Sequence, residues 1–202
     1  ISRHPLIEIQ TLTRVLRVQG KAGDFRVLLS RSPRYVDPDR CTGCGECVRV
    51  CPGKIPDPYN LGLSRTKAIH VPFPQAVPQA AYISREACRV FQDKPCEACI
   101  KVCQAQAIDL HQVPHEWVQA AGAVILASGA SPDSAGDFPG YEHPDVVTSI
   151  EFERLLSATG PHAGKLLRPS DQTPPGRIAF IQCVGSRDLR PGSVPYCSGF
   201  CC

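Results

Sequence analysis

The chain has 202 residues, is 43% hydrophobic, and carries 22 Lys and Arg against 19 Asp and Glu, a net charge of +3. That length is enough for one large domain or two small ones, and the basic residues are too few and too scattered to form the face of a nucleic-acid binder. No apolar run nears the roughly 18 to 20 residues of a bilayer span, so a cytoplasmic protein without a membrane span is expected.

Residue 1 is Ile, Met is absent, and no signal-peptide pattern opens the chain, so the start reads as a cut and the end as equally abrupt. Residues 6 to 29 predict two strands: Ile7, Ile9 and Leu12 with Val15 to Val18, a turn over Gln19 to Asp24, then Phe25 to Leu29. From Tyr35 to Leu110 the texture changes to short segments broken by Cys, Pro and Gly, which hold eight of the twelve cysteines. That stretch reads as an inserted module. AGAVILASG, 121 to 129, is a nearly continuous apolar run that suits a strand buried on both faces of a parallel sheet. TSIEFERLLSATG, 148 to 160, predicts a helix: Thr148 and Glu151 stand at capping-box spacing, Phe152, Leu155 and Leu156 form a stripe, and Gly160 is the stop. A Pro-rich loop follows at 168 to 176, and RIAFIQC, 177 to 183, predicts a second apolar strand that delivers Cys183 at its carboxyl end.

CTGCGECVRVCP, 41 to 52, is C-x2-C-x2-C-x3-C-P, the spacing that wraps three thiolates around one iron–sulfur cube and sends the fourth to a neighbouring cluster. Gly43 and Gly45 supply positive φ and close backbone approach in the tight loop, and Pro52 turns the chain away. CRVFQDKPCEACIKVC, 88 to 103, repeats the unit as C-x7-C-x2-C-x3-C, with Gln104 where proline is expected. Exchange of the fourth ligands gives one 4Fe-4S cluster to Cys41, Cys44, Cys47 and Cys103, and a second to Cys88, Cys96, Cys99 and Cys51. Zinc is the bland rival, but it favours paired C-x2-C knuckles over three cysteines in succession. His111 and His115 have H-x3-H spacing, yet Pro114 interrupts a helix there and every nearby Cys is assigned, so both read as surface residues. His4, His70, His143 and His162 are expected to be solvated.

Cys183, Cys197, Cys201 and Cys202 remain, as C-x13-C-x3-C-C. Four is one cluster's worth, but adjacent cysteines also form strained vicinal disulfides or reactive thiol pairs, and by spacing alone both readings stand. The strand ending at Ala127, Ser128 and Gly129 resembles the segment beside a flavin or nicotinamide, with Ser128 where Thr is usual. Many α/β proteins also contain such a strand, and the companion G-x-G-x-x-G is absent from the chain.

YVDPDRCTGCGECVRVCP, KAIHVPFPQAVPQAA, VTSIEFERLLSATGP, RPSD, and RIAFIQCVGSRD followed by PYCSGFCC together resemble the iron–sulfur flavoprotein component of heterodisulfide reductase, its A subunit, over essentially the whole chain. The resemblance implies an α/β fold in which a partial thioredoxin-reductase-like FAD domain, a parallel sheet plus a β-hairpin, is interrupted by an α+β dicluster ferredoxin insert. Its boundaries are 1–35 for part of the FAD domain, 36–110 for the insert, and 111–202 for the return to the FAD domain. It implies a third cluster on Cys183, Cys197, Cys201 and Cys202, and places Ala127, Ser128 and Gly129 near FAD. It also implies flavin-based electron bifurcation coupled to disulfide reduction. Expected partners are the B and C subunits of heterodisulfide reductase, ferredoxin, and a hydrogenase or formate dehydrogenase module feeding electrons in. A related flavoprotein from a sulfate-reducer redox complex would carry the same motifs. A free-standing dicluster ferredoxin is the rival from another class, but residues 36 to 110 hold nine Lys or Arg against eight Asp or Glu, not the acidic balance that steers a diffusing carrier. No side chain is assigned as a catalytic acid or base.

Overall fold

A computed structural model describes residues 4–129, 140–191, 194–197 and 199. The chain forms two units, one of Ile1–Tyr59 with Arg65–Ala127 and the other of Asn60–Ser64 with Ser128–Cys202.

The first unit begins with a hairpin of β1 (Thr13–Lys21) and β2 (Asp24–Arg31), and β7 (His115–Ala121) adds to the free edge of β2. The sheet is antiparallel throughout, with order β1-β2-β7. The register aligns Val15, Leu29 and Trp117 across the three strands, and likewise Val18, Val27 and Gln119. One face of the sheet is therefore largely apolar, as strand alternation requires. The expected hairpin is present, but its turn is tighter than the sequence suggested. Lys21 pairs with Asp24, which leaves only Ala22 and Gly23 between the strands, and residues 6 to 12 lie outside β1.

Between β2 and β7 the regular structure is confined to short elements: α1 (Glu46–Val50), β3 (Lys54–Pro56), β4 (Arg65–Lys67), β5 (Ile69–His70), β6 (Tyr82–Ile83), a 3-10 turn at Arg89–Gln92, and α2 (Ala98–Val102). β3 pairs with β4 and β5 with β6, each antiparallel. Arg31 at the end of β2 pairs with His115 at the start of β7, so the chain leaves the sheet and returns to it at adjacent points. The core of this stretch is Tyr35, Val36, Ile69, Ala81, Ile83 and Ala107. His70 is buried as well, at 4% exposed. The expectation of a solvated histidine fails because β5 turns this ring inward, edge-on to Tyr82 at 4.6 Å, where its Nδ1 pairs with the Lys67 carbonyl at 2.7 Å. Burial lowers its pKa below the usual histidine value. His111 and His115 are exposed.

In the second unit α3 (Ser149–Leu156) forms as the sequence predicts. The Glu151 amide donates to Thr148 Oγ1 at 3.3 Å and the Thr148 amide to Glu151 Oε2 at 2.7 Å, closing the capping box. Leu155 is buried, and the Arg154 guanidinium donates twice to Asn60 Oδ1, at 2.9 and 3.2 Å. The helix ends at its C-cap, Ser157, ahead of the expected stop at Gly160.

Two expected strands are not formed. Of 121 to 129 only Ala121 lies in a strand, at the end of β7, and Ile125 and Leu126 are each 90% exposed. Residues 177 to 183 are irregular, with Ile178, Phe180 and Ile181 at 50%, 66% and 61% exposure. The physical reason is shared. A parallel-sheet strand satisfies its amides only through neighbours on both edges, and no described strand pairs with either segment beyond Ala121.

Candidate iron–sulfur centre

The two cysteine motifs fold alike. Cys47 lies in the first turn of α1 and Cys51 is its C-cap, while Cys99 lies in the first turn of α2 and Cys103 is its C-cap. Each cap amide closes the last turn, Cys51 onto the Val48 carbonyl and Cys103 onto that of Ile100. The two helices pack on each other. The first motif takes the tight course expected of it, with Gly43 at φ 68° and Gly45 at φ 80°, backbone angles that L side chains rarely adopt. In the second motif Glu97, at φ −129°, replaces the glycine as N-cap. Its longer loop winds into the 3-10 turn that ends at Asp93, φ 57°. Phe91 from that turn packs on Tyr35 at 4.7 Å, and the Arg85 guanidinium lies over its ring at 4.6 Å.

Cys41, Cys47, Cys51, Cys88, Cys99 and Cys103 all pack against the core cluster, whereas Cys44 is exposed. Burial, then the charges of Cys41, Cys44 and Cys103, push the Cys47 thiol up to about 11. Burial, then Cys88, Cys51 and Cys96, with Cys47 a weaker neighbour, push Cys99 up to about 11. The thiols thus fall into two neighbourhoods, Cys41, Cys44, Cys47 with Cys103, and Cys88, Cys96, Cys99 with Cys51. Each takes its fourth member from the other motif. A hollow bounded by Ile69, Ile83 and Leu110 holds Cys51, Cys88, Cys96 and Cys99 on its wall.

No three His, Cys, Asp or Glu side chains among the described residues are gathered as ligands of one ion would be. The hollow walled by Cys51, Cys88, Cys96 and Cys99 suits a multi-iron group, whose irons each take one sulfur. Cys47 and Cys99, whose ionisation is disfavoured by burial and then by neighbouring thiols, also suit it, because bound metal supplies the positive charge that makes thiolates stable there. All ten described cysteines are free thiols.

Three contacts to these cysteines have no signature in the sequence. The Ala107 amide donates to Cys103 Sγ at 3.4 Å, Cys51 Sγ donates to the Gly53 carbonyl at 3.8 Å, and the Lys67 ammonium donates to the Cys51 carbonyl at 2.6 Å. Gly53 is held so closely that a Cβ there would lie 2.7 Å from the Ala87 oxygen and 2.8 Å from Ala68 Cβ.

The remaining expected site residues are less gathered. Cys183 is half-buried at φ 60°, and Cys197 is exposed with its Sγ accepting from the Gly199 amide at 3.4 Å. Their segments meet through a backbone bridge between Ser186 and Val194. Cys201 and Cys202 lie outside the described residues. Ala127, Ser128 and Gly129 are exposed and irregular, with Gly129 at φ 75°. No helix among the described residues is long and apolar enough to cross a membrane.

Residues 34–56 match the family model of the 4Fe-4S binding domain. All of the chain aligns with the iron-sulfur A subunit of a CoB--CoM heterodisulfide reductase from Methanopyrus kandleri at 46% identity, covering 30% of that protein. It aligns equally fully, at 41%, with the A subunit of the H(2):CoB-CoM heterodisulfide,ferredoxin reductase of Methanothermobacter thermautotrophicus, covering 30% of it. The A subunit of the H(2)/formate:CoB-CoM heterodisulfide,ferredoxin reductase of Methanococcus maripaludis is 43% identical, again over the whole chain and 30% of the relative. Along its whole length the chain is similar to heterodisulfide reductase A subunits, and it spans about 30% of the length of these relatives.

Proposed function

We propose that the chain is the cluster-bearing part of an oxidoreductase subunit of heterodisulfide-reductase type, in which electrons move between FAD and 4Fe-4S clusters during flavin-based bifurcation coupled to disulfide reduction. The observation that carries this reading is the crossing of the cysteine neighbourhoods, each of which completes its four thiols from the opposite motif. Cys41, Cys44, Cys47 and Cys103 would hold one cluster and Cys88, Cys96, Cys99 and Cys51 the other, with Cys183, Cys197, Cys201 and Cys202 holding a third. The position of the motifs between two paired strands supports an insert of about the proposed bounds, 36–110, within an FAD domain formed by 1–35 and 111–202. Ala127, Ser128 and Gly129 would line the flavin.

When bound, these groups supply the redox chemistry, and the protein holds them and tunes their potentials. The chain's own residues carry Cys47 and Cys99 in two short helices capped by Cys51 and Cys103, seat six of the eight thiols against apolar core, and offer amide and ammonium donors beside Cys103 and Cys51. The relatives' names point to heterodisulfide, ferredoxin and H2 or formate as the reactants of the complex. The B and C subunits and a hydrogenase or formate dehydrogenase module are the partners that follow from this reading.

Anaerobic reconstitution of the chain with assay of iron, sulfide and zinc tests the clusters. About twelve irons and twelve sulfides per chain support three cubes, about eight of each retain only the two in the insert, and zinc without sulfide overturns the reading. Absence of flavin from the complete anaerobically purified protein would remove the FAD assignment.

A further inference from the structure

We propose that Lys67 sets the reduction potential of the cluster that contains Cys51, by fixing a positive charge at that ligand. The proposal rests on the ligand assignment above. Lys67 ends β4 and its ammonium donates to the Cys51 carbonyl at 2.6 Å. Two features hold it there. The Ala68 amide donates to the Gly53 carbonyl at 3.0 Å, where the Ala68 Cβ and the Ala87 carbonyl oxygen leave no room for a Cβ at Gly53, and the Lys67 carbonyl is paired with the buried His70 ring. Lys54 stands directly across from Lys67 in the β3–β4 pair. Like charges in that relation repel, and the ammonium finds its partner at the cysteine instead. No carboxylate forms an ion pair with Lys67 among the described residues.

The pseudo-equivalent position lacks this device. The carbonyl of Cys103, the other C-cap, accepts from the Gln106 backbone amide at 3.0 Å, a neutral donor. Addition of one electron from an external low-potential donor makes a cluster one unit more negative. A fixed cation beside a ligand therefore stabilises the reduced form more than the oxidised one. Its removal makes that cluster harder to reduce.

The test is an anaerobic dithionite titration of the complete protein, followed by electron paramagnetic resonance, for wild type, Lys67→Met and Lys67→Arg, with iron and sulfide measured in each. The expected result is one cluster whose reduction equilibrium falls about tenfold in Lys67→Met, which is about 59 mV for one electron, with the second cluster moving less and Lys67→Arg near wild type. Unchanged midpoints at full iron content overturn the proposal. Should Lys67→Met lose iron, Lys67→Gln is compared with Lys67→Arg: a lower midpoint for glutamine supports the proposal, and equal midpoints refute it. Iron and sulfide too low for any cube in the wild type would instead refute the ligand assignment.

Discussion

At the scale of residues, Cys51 and Cys103 hold matching places, each capping a five-residue helix of one motif while its thiol lies in the neighbourhood of the other. Crossing makes a specific demand on double variants. If Cys41 and Cys103 serve one cluster, Cys41→Ser combined with Cys103→Ser costs about four irons, whereas ligands to separate clusters would cost about eight. Iron assay on anaerobically purified protein decides. Gly53 leads to a different prediction. Its place 2.7 Å from a backbone oxygen leaves no room for a methyl group, so Gly53→Ala should destabilise the fold by about 1–3 kcal/mol, read as a lower denaturation midpoint. The cysteine spacing was legible in the sequence because three thiolates on one cube admit few loops. Lys67 was not, since its role depends on a carbonyl brought to it by the β3–β4 pairing.

At the scale of elements, the β5–β6 pair buries His70 in its uncharged form. A histidine whose folded pKa is lowered leaves the unfolded chain binding more protons, so stability is full above the unfolded value, about 6.5, and is lost as pH falls through the folded value. Urea midpoints should therefore decline on acidification below about pH 6.5, and His70→Phe should flatten that decline. In the other unit, Thr148→Ala opens the capping box of α3 and should cost about 1 kcal/mol, measurable as a drop in midpoint. That helix was readable from a local pattern, Thr148 with Glu151. The strands expected at 121–129 and 177–183 were not formed because apolarity says only that a segment prefers burial. What buries it is a neighbour, and beyond Ala121 no described strand pairs with either segment. β7, by contrast, leaves little trace in the sequence because Glu116 and Gln119 break its apolar pattern, yet β2 offers it a complete edge.

At the scale of the molecule, the residues between Arg31 and His115 contain their own core, from Tyr35 to Ala107. A polypeptide of residues 33–112 should therefore fold anaerobically with iron and sulfide and hold about eight irons. A yield of about four irons or fewer would show that the flanking sheet is needed for one of the clusters. The apolar runs outside that stretch are expected to make the rest of the chain the less soluble part when expressed by itself.

The Arg31–His115 pairing has a kinetic consequence. A carrier that diffuses must find its partner at every turnover, and charge accelerates the search. A module pinned at two neighbouring points of a sheet makes no such search. Its encounter with a flavin on the same chain would be intramolecular, governed by effective concentration in place of collision. Nine basic against eight acidic residues between Val36 and Leu110 is then the balance to expect of a stretch relieved of long-range attraction, and turnover between flavin and clusters should be nearly indifferent to ionic strength.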